Sequence, residues 1–138
     1  MARTVLIDSG VIVAALRMRD QHHLWAKSHL EAITDPCLTC EAVISESFFL
    51  LERAKEGKSR LASMLERGII VADFIFTSHC EETLRLLRRY DGTQMSFADA
   101  CLVRMAELQN DAVIFTTDSD FRIYRKNGRQ VIPVISPS

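Results

Sequence analysis

Short apolar segments rich in β-branched residues alternate along the chain with longer segments of helical periodicity. The short segments are typical of buried strands, and the longer ones have apolar residues at helical spacing. Strands separated by helices of crossover length pair in parallel, with helices on both faces of the sheet. We therefore predict one α/β domain over residues 1–138, with three α/β/α layers around a mainly parallel central sheet. The predicted strands are 4–7, 37–39, 69–74, 112–116 and 130–134, and the predicted helices are 11–16, 22–33, 40–55, 59–66, 81–90 and 96–109.

Composition is consistent with a single domain that has its own hydrophobic core. Of the 138 residues, 48% are hydrophobic and 25% are charged, which is typical of soluble globular proteins. No apolar run is long enough to span a membrane, and the N-terminal segment becomes charged too early for a signal-peptide core. We therefore expect a cytoplasmic protein. The net charge of −1 creates no overall field that would attract a nucleic acid.

Four aspartates stand beside the predicted strands and helices. Asp8 ends the first strand, Asp99 lies at the start of a helix, and Asp118 and Asp120 follow the fourth strand. Each has a structural explanation, because aspartate commonly caps the first turn of a helix. Ser96 and Asp99 in particular fit the spacing of a capping box.

Glu46 has no such explanation, since it lies in the middle of the predicted helix 40–55. Phe49 and Leu50, three and four positions later, share its side of that helix. An ionised carboxylate beside an apolar face needs a partner. We expect Glu46 to lie at a rim, to pair with an arginine, or to belong to an acidic site.

The sheet topology brings two of these acids together. Asp8 and Asp118 both follow strands of the predicted parallel sheet, so they belong to the edge where such folds bind ligands. Neighbouring strands are about 5 Å apart, and carboxylates at such distances raise one another's pKa unless a cation lies between them. Oxygen ligands without His or Cys favour a hard ion. Convergence of the acids would therefore predict Mg²⁺ or Mn²⁺ rather than Zn²⁺.

The order of the acids resembles the acidic set of PIN-domain nucleases. The opening V-L-I-D-S-G-V-I-V-A and the segment T-T-D-S-D-F are similar to the first and last motifs of that family. The resemblance spans residues 4 to 134, and the small single-domain form is similar to the VapC-type toxins of toxin–antitoxin pairs. One departure is Gly10, where many members carry Asn or another polar residue.

The resemblance implies a Mg²⁺- or Mn²⁺-dependent ribonuclease that hydrolyses RNA phosphodiester bonds. It also implies a homodimer and a cognate antitoxin as partners. By the same resemblance, Asp8, Glu46, Asp99 and Asp118 are the catalytic and metal-binding acids, Asp120 is an accessory metal ligand, and Ser9 and Thr116 are supporting hydroxyls.

Basic residues cluster in two places, around 85–89 and 122–129. Such a cluster is either a solvated face or a contact for phosphates of a nucleic acid. We predict RNA contacts at Arg85, Arg122 and Arg125.

An alternative function is a partner-binding or dimeric module with weak or no nuclease activity, because the predicted helices 22–33 and 40–55 are apolar enough to dock a second chain. A phosphatase that uses Asp8 as nucleophile is disfavoured, since Asp8-Ser9-Gly10 lacks the D-x-D spacing of haloacid-dehalogenase-like enzymes.

The cysteines predict no zinc site. Cys37 and Cys40 form a lone C-x-x-C, and Cys80 and Cys101 do not supply a second ligand pair at matching spacing. We expect all four to be reduced and mostly buried thiols.

Overall fold

The computed structural model describes residues 3–137, and they form an α/β architecture around a parallel sheet. The strands are β1 (Thr4–Ile7), β2 (Cys37–Thr39), β3 (Ile70–Ala72), β4 (Ala112–Phe115), β5 (Arg125–Lys126), β6 (Gln130–Val131) and β7 (Val134–Ile135). Five of them make the central sheet in the order β3-β2-β1-β4-β7, and every pair in it is parallel. The strands alternate with helices, which confirms the predicted fold class.

Helices enclose the sheet on both sides. They are α1 (Ser9–Leu16), α2 (His23–Ala32), α3 (Glu41–Leu50), α4 (Gly57–Glu66), α5 (Cys80–Arg89) and α6 (Phe97–Glu107). Helix α1 packs against α2, α3 and α4, whereas α6 packs against α5, α3, β1 and β4. All four residues of β4 are buried. Since successive strand residues point to opposite faces, both faces of the sheet are covered.

The predicted helix 40–55 is wrong at its C-terminal end, because α3 stops at Leu50. The chain then turns, with Glu56 in the left-handed region at φ 59°, and α4 starts at Gly57. A Cβ atom at Gly57 would lie 3.0 Å from the Cβ of Ala54 and 3.1 Å from Cδ2 of Leu51. The backbone at Gly57 packs closely against buried Leu51, and Gly57 is the first residue of α4.

The predicted last strand, 130–134, divides into two strands with different partners. Positive φ values at Asn127 (52°) and Gly128 (87°) turn the chain between β5 and β6, which pair as an antiparallel hairpin. Pro133 has no N–H to donate, and β7 starts after it beside β4. The backbone N–H of Ile114 donates to the Pro133 carbonyl at 2.9 Å, which joins this segment to the central sheet.

The cysteines are unpaired, as expected. Cys37, Cys40 and Cys101 are buried and Cys80 is half-buried, and all four are free thiols. Burial raises the pKa of Cys37 to about 11, so this thiol is in its neutral form at physiological pH. In the part of the chain that is described, no helix combines the length and apolar character needed to cross a bilayer.

Candidate active site

An acidic cleft of about 370 Å³ opens at the carboxyl edge of β1 and β4. These two strands pair in register, with Ile7 opposite Phe115, so the segments that follow them start side by side. The residues that line the cleft are Asp8, Ser9, Gly10, Glu46, Gln94, Ser96, Asp99, Thr117, Asp118 and Asp120. All five acids named from the sequence therefore border the same cleft, together with Ser9, and no Lys or Arg lies among its described lining residues.

Asp8 is the most buried of these acids, with 5% of its surface exposed. It is the N-cap of α1 and accepts hydrogen bonds from the Ser9 N–H at 2.8 Å and from the Thr116 hydroxyl at 2.7 Å. Burial raises the pKa of Asp8 to about 7, even though both hydrogen bonds lower it. The charges of Asp99 and Asp118 contribute to this raised pKa. The carboxylate form of Asp8 is therefore disfavoured without a compensating positive charge.

Thr116 links the ends of the two central strands. Its hydroxyl donates to Asp8 and accepts the backbone N–H of Asp118 at 2.9 Å. Asp118 in turn accepts the N–H of Asp120 at 2.9 Å and caps a short 3₁₀ turn over Ser119–Arg122. The capping explanation is correct for Asp8 and Asp118, and each of them also borders the cleft, so a role in the site stays a prediction.

Asp99 likewise takes part in a helix cap and borders the cleft. Its backbone N–H donates to Ser96 Oγ at 3.0 Å, and its Oδ2 accepts the Ser96 N–H at 3.3 Å, which confirms the predicted capping box. Burial raises the pKa of Asp99, opposed by its hydrogen bonds to Ser96 and Tyr124. Because the helix start is fixed by this box, the carboxylate is held at the cleft wall.

Tyr124 and Gln94 belong to the cleft region but were not predicted as site residues from the sequence. The Tyr124 hydroxyl donates to Asp99 Oδ2 at 3.1 Å from a fully buried ring. Burial, and then the Asp99 charge, raise the pKa of Tyr124 above its usual range, so the phenol remains a hydrogen-bond donor. Gln94 lines the cleft from a left-handed backbone position at φ 57°. Neither has a sequence signal, because their places depend on the tertiary packing of the segments after β4 and α5.

Glu46 lies at the cleft, but its predicted apolar surroundings are wrong. The residues that α3 buries are Val43 and Ser47, whereas Glu46 is exposed and Phe49 is 75% exposed. The partner of Glu46 is not an arginine. The Ser9 hydroxyl donates a short hydrogen bond to Oε1 of Glu46, which ties α3 to the start of α1.

The three arginines predicted to contact RNA do not line the acidic cleft. Arg85 forms a salt bridge with Glu81 at 3.0 Å on the surface of α5. The Arg125 guanidinium donates to the backbone carbonyl of Arg122 at 2.7 Å and to two further carbonyls, so it stabilises its own loop. Arg122 donates to Ser136 Oγ at 2.8 Å. Their contact with RNA stays a prediction.

The donor set of the cleft fits a hard divalent cation in its chemistry. It consists of carboxylates and hydroxyls, and the raised pKa of Asp8 reflects the cost of ionising it. In residues 3–137, however, no three His, Cys, Asp or Glu side chains stand at distances that could hold a metal ion. Asp8, Asp99 and Asp118 each accept a backbone N–H of their own cap. Binding an ion between them would require the carboxylates to move closer together.

Gly10 leaves no space for a side chain at the cleft floor. A Cβ atom built there would collide with the hydroxyl of Thr117. Thr117 therefore occupies the space that a side chain at position 10 would need.

We expect Gly10→Ala to lower the free energy of unfolding by about 1 to 2 kcal/mol. Overpacking lowers the free energy of unfolding by about 1–3 kcal/mol, whereas replacing a helical glycine by alanine raises it by at most about 1 kcal/mol. Urea denaturation measures the change, with Gly92→Ala as a control because nothing lies within 4 Å of its Cβ position. Adding Thr117→Ala should restore stability. A double variant as unstable as Gly10→Ala would show that the collision is not the cause.

Comparison with known proteins identifies the family and the fold. A sequence model of the PIN domain matches residues 5–127, which is most of the chain. Among curated proteins, no significant match is found. The crystal structure of VapC20 from Mycobacterium tuberculosis, described as a toxin that cleaves the sarcin–ricin loop, has the same fold with a TM-score of 0.75 and 18% sequence identity. The similarity covers 85% of this chain and 92% of that chain. This protein therefore belongs to the PIN-domain family.

Proposed function

We propose that this protein is a Mg²⁺- or Mn²⁺-dependent endoribonuclease and the toxin component of a toxin–antitoxin system. The observation that carries the proposal is the acidic cleft, in which five carboxylates border one depression with no Lys or Arg among the described residues that line it. Such a set repels itself unless a cation is bound. Membership of the PIN-domain family and the fold shared with VapC20 support the same activity.

The three aspartates that border the cleft floor are suited to hold the ion. Asp8 follows β1, Asp118 follows β4, and Asp99 lies in the first turn of α6. Asp120, which lines the same cleft, is an accessory ligand. When bound, the divalent ion supplies a Lewis acid that polarises the phosphodiester and lowers the pKa of water. Ser9 and Thr116 act as supporting hydroxyls, because each binds one of the carboxylates.

Glu46 is suited to contact the attacking water. Its Oε1 accepts from the Ser9 hydroxyl, so Oε2 of this exposed side chain remains available. This oxygen can accept a hydrogen bond from water and orient it toward the phosphate. The Tyr124 phenol, which donates to Asp99, keeps that carboxylate in place at the cleft wall.

Metal dependence is the first test. We expect the purified protein to cleave single-stranded RNA with Mn²⁺ or Mg²⁺, to lose the activity in EDTA, and to regain it when excess Mn²⁺ is added. The same Mn²⁺ addition should raise the melting temperature, because an ion that binds only the folded state stabilises it. Cleavage that continues in EDTA, or a protein that binds no Mn²⁺ by calorimetry, would contradict the proposal.

The proposed toxin function also implies binding partners and a cellular location. A cognate antitoxin, a homodimer and a cytoplasmic location are proposed here on the basis of the VapC-like fold. A short open reading frame directly upstream of the gene, whose product forms a complex with this protein and suppresses its ribonuclease activity, would support the assignment. A protein that cleaves RNA without any such partner would remain a ribonuclease outside the toxin class.

One observation favours a second candidate, a partner-binding or dimeric module. Leu24 of α2 is 79% exposed and Phe49 of α3 is 75% exposed, with Leu50 beside it. Phe49 and Leu50 are adjacent on α3, and a contiguous exposed apolar surface of this kind is a candidate interface.

We expect Phe49→Arg to convert a dimer into a monomer in size-exclusion chromatography with light scattering, because a charge would have to be buried. Ile123→Arg is the matched control, since Ile123 is 51% exposed on a different segment. If the module function is correct, the parent is dimeric and inactive with Mn²⁺. If both variants and the parent are monomers, the exposed face of α3 does not form a homodimer.

A further inference from the structure

The acidic cleft creates an electrostatic problem for the substrate proposed above. RNA carries a negative charge on every phosphate, whereas the described lining of the cleft is acidic and the net charge of the chain is −1. Binding of a nucleic acid depends mainly on Lys and Arg contacts to phosphates. The cations that attract the strand must therefore lie on a neighbouring surface.

A basic hollow of about 650 Å³ lies between the end of α1 and the turn that leads into α4. Its cations are Arg17, Arg19, Arg53, Lys55 and Arg60, and Glu56 is the single acid among its described lining residues. Ligand sites in proteins have volumes of about 300 to 1,000 Å³, so the hollow can enclose part of a polymer chain. Met18, which is 78% exposed, adds an apolar surface at its wall.

The basic hollow is connected to the acidic cleft through a smaller depression that shares lining residues with each of them and is also lined by Asp20. Gly10 and Thr117 line both the cleft and the smaller depression, and Arg17 lines both that depression and the basic hollow. Helix α1 runs between the two ends, and its eight residues span about 12 Å. The Arg17 guanidinium donates to the Leu50 carbonyl, which fixes a positive charge at the junction.

The cations of the hollow are available for a ligand. Arg19, Arg53 and Lys55 make no salt bridge or side-chain hydrogen bond with any residue in 3–137. Arg60 pairs with Glu56 at 3.8 Å, but both side chains are more than half exposed, so this pair contributes little. Unpaired cations around one concave surface repel each other and favour the binding of an anion.

The other basic surface does not have these properties. The depression that contains Arg85 and Arg89 also contains Glu82 and Glu107, and it shares no described lining residue with the acidic cleft. Arg85 is paired with Glu81, and Arg89 donates to the Gly128 carbonyl at 2.6 Å. These cations are already used within the protein.

We propose that the basic hollow binds the phosphates of a single-stranded RNA on one side of the phosphate that lies in the acidic cleft. The inference rests on the proposed ribonuclease function for the identity of the polymer. A single strand is favoured because unpaired bases can stack on the planes of Arg guanidinium groups, and Arg19 and Arg53 line the hollow. The connection to the cleft favours RNA over an acidic peptide, since the same strand extends from the cations to the carboxylates.

The test compares Arg53→Gln/Lys55→Gln with Arg3→Gln/Arg67→Gln. The control pair has the same charge change, but Arg3 precedes β1 and Arg67 precedes β3, at the opposite edge of the sheet. Fluorescence anisotropy with a labelled single-stranded RNA, in EDTA to prevent cleavage, measures affinity over a range of NaCl concentrations. Loss of two phosphate contacts should make the slope of log K against log [NaCl] less negative by about 1.4.

Weaker RNA binding and a shallower slope for the first pair, with the control pair unchanged, support the proposal. Equal slopes for parent and both variants overturn it. If RNA binding is unchanged but binding of a poly-glutamate peptide weakens, the hollow is a protein-binding site and the proposal is wrong. The nuclease function is tested separately by Mn²⁺-dependent cleavage, so an inactive parent that still shows the slope change refutes only that function.

Discussion

Replacement of Asp99 by asparagine is expected to lower the rate of RNA cleavage by about 100-fold or more while the fold is retained. The amide oxygen of asparagine can still accept from Ser96 and Tyr124, which now donate to Oδ2 of Asp99. The variant lacks the negative charge that Asp99 contributes to binding the divalent ion. A loss of about 3 kcal/mol in transition-state stabilisation corresponds to about 100-fold in rate.

The matched control is Asp35→Asn, an exposed aspartate that precedes β2 at the opposite edge of the sheet. Initial rates with a labelled RNA and saturating Mn²⁺, together with melting curves of all three proteins, distinguish a chemical effect from unfolding. The Asp35 variant should have the parent rate. If Asp99→Asn cleaves RNA as fast as the parent, Asp99 is a helix cap and not a metal ligand.

Replacement of Asp8 by asparagine is expected to stabilise the metal-free protein at neutral and alkaline pH, although it should abolish cleavage. Burial raises the pKa of Asp8 from 3.8 to about 7, so the folded state binds a proton that the unfolded state has already released. The free energy of unfolding therefore falls as pH rises from 4 to 7. A pKa shift of this size corresponds to a decrease of at most about 4 kcal/mol in the free energy of unfolding.

Urea denaturation in EDTA at pH 5 and pH 8 measures this effect. At pH 8 the Asp8→Asn variant should be more stable than the parent by about 2 to 4 kcal/mol, and at pH 5 the difference should be smaller. Mn²⁺ should stabilise the parent, by about 2.7 kcal/mol at a hundredfold excess over Kd, and should stabilise the variant less. A parent that is equally stable at both pH values would mean that Asp8 is ionised in the folded state without such a cost.

The sheet edge that bears the cleft could be predicted from the sequence because it depends on local patterns. The apolar segment before Asp8 and the one before Asp118 are short, β-branched and separated by helices, and parallel pairing of such strands follows from topology rules. The capping box at Ser96 and Asp99 could also be predicted, because it depends only on two residues that lie three positions apart.

The orientation of α3 could not be predicted, because periodicity does not tell which side of a helix meets the core. Phe49 and Leu50 are among the large apolar residues near Glu46, yet the helix buries the side of Val43 and Ser47 instead. Tertiary packing against α1 decides this, and it leaves Phe49 exposed. The Tyr124 contact to Asp99 and the turn at Gly57 depend on packing in the same way.

The hydrogen bond from Thr116 to Asp8 joins residues 108 positions apart in the sequence. A contact of such long range closes a long loop, and the chain entropy lost in closing it opposes the contact. During synthesis, a nascent chain that has not yet reached Thr116 lacks both the hydroxyl that binds Asp8 and the strand that lies beside β1. The complete cleft is thus absent from every nascent chain that ends before Thr116, and a ribosome that translates this protein encounters no assembled acidic site until most of the domain has emerged.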